Sequence, residues 1–281
     1  MLLVGAGRVG TAVAYLLERS GREPVGVVSR SPASAERAAT RLGCGVISSL
    51  DDAPEADLYL LGVPDAAIED VARSLAAVAA PGAMAVHFAG SLGIGPLEAL
   101  AERGLGVAAL HPVQACPDVG TAIERLPGSA WGITCSPGLT GRCEDFVRAV
   151  AGLPVPVEEA DRALWHAAAV MTSNGIAALL ATGESILQTI GVADPERVLG
   201  PLAAGAVATA RAGGGGGATL TGPVVRGEVS TLRRHLEALD AQAPELVPAY
   251  RLVARTILAA SARAGRLPAE AAGQIEAVVA G

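Results

Sequence analysis

The sequence predicts an α/β protein in which an N-terminal Rossmann-type parallel sheet is followed by an all-helical C-terminal domain. Residues 2–152 alternate short apolar runs with helical segments, a pattern typical of a parallel sheet covered by helices. After "GLPVPVEEADRALWHAAAV" the chain has long helical segments and no convincing strand. Hydrophobic residues make up 51% of the 281 residues and aromatic residues only 2%, so Ala, Val and Leu must build the core.

The first part of the chain contains six apolar runs with the length of strands. The clearest, "DLYLLGV", is apolar almost throughout, as expected of a strand buried on both faces of a sheet. The predicted strands are Leu2–Val4, Pro24–Val28, Asp57–Val63, Ala83–Phe88, Gly106–Leu110 and Ala130–Thr134. The predicted helices between them are Val9–Arg19, Ser34–Leu42, a segment from Pro64 to Ala77, and Pro96–Arg103.

The second part of the chain is predicted to be helical. Its helices are Asp161–Ile190, interrupted near Gly175 and Gly183, then Pro195–Arg211, Glu228–Ala241, Pro244–Ala264 and Pro268–Val279. The consecutive glycines Gly213–Gly217 predict a flexible turn, because glycine loses the most backbone entropy in regular structure. Pro154 and Pro156 indicate a hinge, so we predict two domains, residues 1–153 and residues 154–281.

The charge and composition exclude several classes of function. A net charge of −7 argues against nucleic acid or an anionic membrane as the general partner. No apolar run reaches the length needed to span a bilayer, so we expect no membrane segment. All 21 basic residues are arginine, which excludes any mechanism that needs a lysine amine as Schiff base or general acid.

The cysteines and other metal-ligating residue types show no pattern of a metal or disulfide site. Cys44, Cys116, Cys135 and Cys143 are scattered and form no C-x-x-C pair. No cluster of His, Asp and Glu has the spacing of metal ligands, so we expect no metal. The N-terminus enters a strand at once, without room for a signal peptide, and we expect a cytoplasmic protein.

Three glycines in "LLVGAGRVGTAV" have the spacing G-x-G-x-x-G directly after the first strand and at the start of a helix. In this position Gly5 allows the tight turn, Gly7 allows close approach of a pyrophosphate, and Gly10 allows close packing of helix on strand. The motif predicts a dinucleotide site, with the helix N-terminus supplying N–H groups. The residues expected to line it are Gly5, Ala6, Gly7, Arg8, Val9, Gly10, Val63 and Pro64.

The end of the second strand indicates which dinucleotide is bound. An acidic residue there would bind the ribose 2′-hydroxyl of NAD, but this sequence has "VVSRSPAS" and no acid. Arg30 can pair with a 2′-phosphate, and the hydroxyls of Ser29 and Ser31 can donate to the same oxygens. An ordinary polar loop is the alternative. The arginine and the two serines, with no acidic residue beside them, favour NADP as the cofactor.

Four stretches carry a resemblance to a known family: "VGAGRVGTAVA", "LHPVQACPD", "LWHAAAVMTSN" and "LTGPVVRGE". With them the chain resembles the Rossmann-like proteins that carry the C-terminal domain of unknown function 2520. These belong to the wider group of 6-phosphogluconate dehydrogenase, pyrroline-5-carboxylate reductase and ketopantoate reductase. The resemblance implies an NADP site, a cleft between the domains, and dimerisation through the helical domain. It implies no particular substrate.

This chain departs from the wider group in one chemical respect. The resemblance to ketopantoate reductase and the hydroxyacid dehydrogenases would imply a catalytic lysine on the first helix of the second domain, and this chain has no lysine. The polar residues of the corresponding helix are His166, Ser173 and Asn174. His166 and Ser173 are seven residues apart and therefore share a face of the helix.

Further polar residues follow strands at the edge where ligands of open α/β sheets bind. "HFAGSLG" offers Ser91, and "LHPVQ" offers His111 and Gln114. His166 or His111 could donate a proton to the product, because the pKa of histidine lies near neutrality. Ser91, Gln114, Ser173 and Asn174 could orient the substrate.

Each of these residues also has an ordinary structural interpretation. His166 can be satisfied by a neighbouring carbonyl, His111 can end a strand, and Ser91 and Asn174 can be capping or packing residues. His87, within a strand, is expected to be structural, and His235 is expected on a solvated face. In "LTGPVVRGE", Arg226 could clamp a substrate carboxylate or lie on the surface beside a helix N-terminus.

Two functions from different classes follow from these patterns. The first is an NADP(H)-dependent oxidoreductase that reduces a small oxo acid or imine by hydride transfer in an interdomain cleft. The second is a non-catalytic NADP(H)-binding sensor or assembly protein. For the enzyme, ketopantoate-like oxo acids and cyclic imines both remain open as substrates, and a deazaflavin is a further possibility by resemblance to related NADP reductases. In either case we expect a homodimer.

Overall fold

In a computed structural model that describes residues 1–267 and 269–280, the chain divides into two compact units, Met1–Ser173 and Asn174–Gly281. The first unit contains one sheet of eight strands. The strands are β1 (Leu2–Val4), β2 (Gly26–Val28), β3 (Val46–Ile47), β4 (Leu58–Leu61), β5 (Met84–His87), β6 (Gly106–Pro112), β7 (Ala130–Cys135) and β8 (Leu153–Pro156). Their order in the sheet is β3-β2-β1-β4-β5-β6-β7-β8.

The strands at the centre of the sheet are parallel, as the alternation of strands and helices predicts. β1 pairs in parallel with both β2 and β4, which is where the direction of strand order changes. Ligands of open α/β sheets bind at such a point, beyond the carboxyl ends of the strands. This arrangement confirms the predicted fold class and places the turn after β1 at the expected ligand site.

Helices cover both faces of the sheet. They are α1 (Arg8–Arg19), α2 (Pro32–Leu42), α3 (Ile68–Ala76), α4 (Glu98–Glu102), α5 (Val119–Arg125) and α6 (Thr140–Ala149). Successive strand residues point to opposite faces. Leu3, Leu60 and Val86 therefore pack with α1, α2, α5 and α6, whereas Tyr59 and Leu61 pack with α3 and α4.

Two features at the far side of the sheet differ from the sequence prediction. β7 runs antiparallel to β6, a direction that an apolar run does not reveal. The segment with Pro154 and Pro156, predicted as a hinge, forms β8, the edge strand that pairs in parallel with β7. Proline is tolerated there because an edge strand needs no hydrogen bonds on its outer side. The boundary predicted after residue 153 thus falls within the sheet.

The remaining helices are α7 (Arg162–Thr189), α8 (Pro195–Ala212), α9 (Gly216–Thr219), α10 (Val229–Gln242), α11 (Val247–Arg263) and α12 (Ala269–Val279). α7 is continuous, so the predicted interruptions near Gly175 and Gly183 are wrong. Part of the predicted glycine turn forms α9. The predicted start of the last helix, Pro268, lies outside the described residues. In the helical unit Leu232, Ala254 and Ile275 form a small apolar core.

The segment Glu159–Thr189, which includes α7, is long and apolar enough to cross a membrane by length and composition. Its most apolar stretch is not buried within the chain. The expectation that no apolar segment reaches the length of a membrane span is therefore wrong. The polar residues Thr172, Ser173 and Asn174 divide the apolar run in the sequence, but they are uncharged and the helix as a whole stays apolar. A helix whose apolar face packs against another protein chain has the same length and composition.

Candidate cofactor and substrate site

The turn after β1 needs a glycine at its first position. Gly5 has a φ of +88°, in the left-handed region that favours glycine, and its N–H donates to the carbonyl of Val28 at 2.7 Å. A Cβ on Gly5 would overlap the side chain of Val63. The backbone can therefore turn directly from the end of β1 into α1.

The other two glycines of the motif pack against Gly62, at the end of β4. The N–H of Gly7 donates to the carbonyl oxygen of Gly62 at 3.0 Å, and a Cβ on Gly7 would overlap this oxygen. A Cβ on Gly10 would lie 2.7 Å from the Cα of Gly62. Gly10 has the packing role predicted for it. The motif alone did not identify Gly62, although it ends the apolar run next to β1.

The N-terminus of α1 is open to an anion. α1 begins at Arg8, and its capping residue Gly7 has no side chain to bind the first backbone N–H groups. These groups have no partner within a helix, and they carry the positive end of the helix dipole. The Arg8 guanidinium donates to the carbonyl of Pro117 at 3.0 Å, which places its side chain beside the loop after β6. The backbone here can hold a diphosphate.

The turn after β2 presents a cation beside two hydroxyls. Ser31 caps α2, and its Oγ accepts a hydrogen bond from the Ser34 N–H at 3.4 Å. The Ser29 Oγ accepts from the Ser31 N–H at 3.4 Å. Arg30 is exposed and forms no ion pair with any residue that the structure describes. Its guanidinium is therefore available to a ligand, whereas the two serines also serve the local turn.

Two clefts meet at the glycine turn. The first, about 570 Å³, runs between the ends of β1, β2 and β4, and the second, about 390 Å³, runs toward the end of β5. Both are lined by Gly7, Gly62, Val63 and Pro64. The first adds Gly5, Ala6, Ser29, Arg30 and Ser31, and the second adds Arg8, Val9, Gly10, Asp65, Phe88, Ala89 and Cys116. All predicted cofactor residues thus line one continuous surface.

His111, at the end of β6, is fixed by a tryptophan from α7. The indole Nε1–H of Trp165 donates to Nδ1 of His111 at 3.0 Å. The indole lies on the backbone of Gly132, where a Cβ would approach to 2.7 Å of the ring. Trp165 was not predicted as a site residue, because 54 positions separate it from His111 in the sequence. The hydrogen bond leaves the proton of the neutral imidazole on Nε2.

The surroundings of His111 favour its neutral form. Burial, the ring of His166 and the guanidinium of Arg162 together lower the pKa of His111 to about 4. The expectation that His111 titrates near neutrality is therefore wrong. At neutral pH the imidazole is a hydrogen-bond donor through Nε2 rather than a cationic acid.

His166 lies beside His111 and against the loop after β5. The two imidazole rings are 5.2 Å apart between centroids and nearly perpendicular, at 83°. Nδ1 of His166 faces Gly90, where a Cβ would overlap the ring. This nitrogen is buried and has no hydrogen-bond partner among the described residues. The two candidate histidines therefore lie side by side.

Arg162, the first residue of α7, lies close to His111 and was not predicted as a site residue. Its side chain is 1% exposed, and its guanidinium donates to the carbonyls of Ala89 at 2.7 Å, Leu92 at 3.1 Å and Gly132 at 3.1 Å. Burial lowers the pKa of Arg162, while Glu159 raises it. The residue ties the loop after β5 to β7 and to the start of α7.

Other predicted residues have different surroundings. His87 is fully buried, its Nδ1 accepts from the Ala89 N–H at 3.1 Å, and its Nε2 contacts the Gly93 carbonyl at 2.8 Å, as expected of a structural histidine. Ser91 is exposed on the loop that Arg162 holds. The Gln114 amide bonds the backbone of Ala115 and Arg125, so its side chain serves its own loop.

The remaining candidates lie on α7 and in the helical unit. Ser173 is exposed, and α7 carries it in the same helix as His166. Asn174 is exposed and is the first residue of the helical unit. Arg226 is exposed and pairs with Glu228, with Nε and Oε1 2.6 Å apart. His235 contacts the Tyr250 hydroxyl at 2.7 Å.

Solved structures share this fold. A candidate NADP oxidoreductase from Bacteroides fragilis is 24% identical, with a TM-score of 0.73, and the match covers 91% of this chain and 96% of that one. A protein from Thermotoga maritima is 22% identical, with a TM-score of 0.73 and coverage of 94% and 99%. A reductive aminase from Aspergillus terreus, in complex with NADPH and ethyl levulinate, is 17% identical, with a TM-score of 0.59 and coverage of 99% and 91%. At these identities the likeness shows the fold.

No curated protein matches the chain. The Rossmann-like domain matches residues 1–112, which contain the glycine turn and the strands β1 to β6. The Domain of unknown function (DUF2520) matches residues 129–257, which contain β7, β8 and the helices α6 to α10. The chain therefore belongs to the Rossmann-like proteins that carry a DUF2520 domain.

Proposed function

We propose that this chain is an NADP(H)-dependent oxidoreductase that reduces a small carbonyl or imine compound. The observation that carries the proposal is the pair of clefts that meet at Gly7 and Gly62. One cleft leads to Arg30 and the other to Phe88 and Ala89, on opposite sides of the anion-binding turn. A dinucleotide has this layout, with a diphosphate between two nucleosides.

The first cleft suits the adenosine half of NADP. The diphosphate would lie on the N-terminus of α1, and a 2′-phosphate would pair with the guanidinium of Arg30, which forms no ion pair among the described residues. No carboxylate follows β2 at the position that would bind the 2′-hydroxyl of NAD. These features support NADP over NAD.

The second cleft suits the nicotinamide half. When bound, the cofactor supplies a hydride to an electrophilic carbon. Phe88 and Ala89 offer an apolar wall, and the loop that Arg162 holds carries Gly90 against His166 and, next in sequence, the exposed Ser91. These groups can bind and orient a small substrate next to the cofactor. Related folds include a candidate NADP oxidoreductase and a reductase crystallised with NADPH, which agrees with the proposal.

The proposal is tested by titrating the purified chain with NADPH and with NADH and following cofactor fluorescence. We expect NADPH to bind at least about tenfold more tightly, because a hydrogen-bonded charged pair contributes about 1.5 kcal/mol or more. Arg30→Gln should remove this preference and leave NADH affinity unchanged. Arg103→Gln, at an exposed arginine directly after α4, is the matched control. A chain that binds neither dinucleotide contradicts the proposal.

A steady-state assay separates catalysis from binding alone. NADPH oxidation is followed with a panel of small oxo acids, ketones, aldehydes and imines. Tight NADPH binding without turnover of any compound would favour the non-catalytic sensor instead.

The four cysteines are free thiols, which suits a reducing compartment, and we place the activity in the cytoplasm.

We also propose that two copies associate through the helical unit. Large apolar side chains of α7, α8 and α11 are exposed, among them Leu179, Val198, Leu202 and Leu252. Soluble chains rarely leave such residues uncovered together. Leu202→Glu, at a side chain 68% exposed, should convert a dimer to a monomer in light scattering after gel filtration. Leu153→Glu, at an exposed leucine of the sheet edge, is the control, and a monomeric wild-type chain contradicts the proposal.

A further inference from the structure

The geometry of His111, Trp165 and His166 points to a substrate class: the group reduced at this site is a carbonyl, in a ketone or an aldehyde, and not an imine. This inference rests on the proposed function, since it concerns the same reduction. It follows from the nitrogen of His111 that carries the proton, which Trp165 fixes, and from the positive charge of the nearby Arg162.

The protonation of His111 is set by its partner. An indole nitrogen can only donate, so Nδ1 of His111, which accepts from Trp165 at 3.0 Å, carries no proton. A cationic imidazole has protons on both nitrogens and would have to break this bond. His111 therefore offers one N–H, on Nε2, from a neutral ring. The low pKa of His111 agrees with this geometry.

His166 lies beside His111, with 5.2 Å between the ring centroids. Its Nδ1 is buried against Gly90 and has no hydrogen-bond partner among the described residues.

The fixed charge next to the histidines is positive. Arg162 donates only to backbone carbonyls, and no carboxylate of the described residues forms an ion pair with it. Two acids are near: Asp65 lines the cofactor cleft, and Glu159 accepts a hydrogen bond from the Ile94 N–H at 3.0 Å. A buried guanidinium stabilises an atom that gains negative charge and disfavours a cation.

These features suit the reduction of a carbonyl. The carbonyl carbon accepts the hydride of NADPH, the π electron pair moves to the oxygen, and the oxygen then takes a proton from water to give the alcohol and NADP⁺. A neutral imidazole N–H can polarise a carbonyl oxygen and stabilise the oxyanion as it forms. The Nε2–H of His111 has the required protonation, and the positive charge of Arg162 acts in the same direction.

The same groups do not suit an imine. The nitrogen of a protonated imine carries an N–H and no lone pair, so it cannot accept from His111, and its charge is repelled by Arg162. The nitrogen of a neutral imine would become an amide anion on reduction. This anion is a far stronger base than an alkoxide and needs a cationic acid, which the neutral imidazole of His111 does not provide.

The first test compares matched substrates. NADPH oxidation is measured with cyclopentanone and with 1-pyrroline, and with further ketones, aldehydes and cyclic imines of similar size. We expect kcat/KM for the carbonyl members to exceed that for the imines by at least about tenfold. Faster reduction of the imines overturns the inference and leaves the proposed function intact. Loss of NADPH binding would overturn the proposed function itself. If NADPH binds but neither class of compound is reduced, the chain does not catalyse this reaction and the inference is overturned.

The second test requires no turnover. Nitrogen NMR of the chain labelled with ¹⁵N-histidine should show His111 at neutral pH with a protonated Nε2 and an unprotonated Nδ1. Trp165→Phe should release this tautomer and lower kcat for a ketone about tenfold, with KM nearly unchanged. Trp131→Phe is the matched control, because the Trp131 Nε1 has no hydrogen-bond partner among the described residues. A doubly protonated His111 at neutral pH, or a Trp165→Phe variant with unchanged NMR signals, overturns the inference.

Discussion

The candidate site has two ends, the glycine turn and the pair of His111 and His166, and they use different chemical groups. At the glycine turn the candidate ligand-binding groups belong to the backbone, and a Cβ on Gly5, Gly7 or Gly10 would overlap the Val63 side chain or the Gly62 backbone. At the histidine pair the groups belong to side chains that hold one another, as Trp165 holds His111. The first end depends on local spacing, and the second depends on contacts between distant segments. The two ends should therefore respond differently to mutation.

The largest effect is expected where a buried charge is removed from the histidine end. Arg162→Leu leaves three buried carbonyls without their donor and should lower the free energy of unfolding by about 4 kcal/mol. Urea denaturation measures this change. Arg103→Leu, at an exposed arginine, should change stability by less than about 0.5 kcal/mol. Equal effects of the two substitutions would show that Arg162 is not buried as described.

The histidine end should also make the free energy of unfolding depend on pH, through His111. The pKa of His111 is about 4 in the folded chain and about 6.5 in the unfolded chain, so the folded state binds fewer protons between these values. Stability from this group is fully present above about pH 6.5 and is lost as the pH falls toward 4, by up to about 3 kcal/mol. His111→Asn should remove this part of the acid sensitivity in denaturation curves at several pH values. An unchanged slope would contradict the assignment.

At the glycine end we expect a smaller loss that appears first in cofactor binding. Gly7→Ala places a methyl group against the Gly62 carbonyl and moves the N-terminus of α1 away from the diphosphate. NADPH affinity should fall about thirtyfold, or about 2 kcal/mol. Gly141→Ala, where a Cβ meets nothing within 4 Å, is the matched control. Wild-type affinity in Gly7→Ala would mean that the turn does not hold the cofactor.

The smallest effect is expected at Gln114. Its amide is engaged with the backbone of its own loop, so Gln114→Ala should change the KM of any substrate less than about threefold. The thermal midpoint should fall by a few degrees at most. A large rise in KM would return Gln114 to the substrate site, as the sequence suggested.

The sequence predicted the glycine end well and the histidine end in part. A motif of closely spaced glycines reports backbone geometry that is set within a few residues, and it located β1, the turn and α1. The bonds of Arg162 join residues separated by 30 to 73 positions, and no spacing rule reveals them. The antiparallel direction of β7 depends on the path of the whole chain. Pro154 indicates a break by itself and becomes compatible with a strand only at the edge of a sheet.

The chain has two tryptophans, and the structure gives them unlike surroundings. The indole of Trp131 is buried in the sheet unit, and its nitrogen has no hydrogen-bond partner in the part of the chain that the structure describes. The indole of Trp165 donates to the imidazole of His111 at the end of β6. The emission of the second should change when that imidazole gains a proton or contacts a bound molecule. The molecule thus carries a natural optical probe, and ligands could be screened by intrinsic fluorescence without a label.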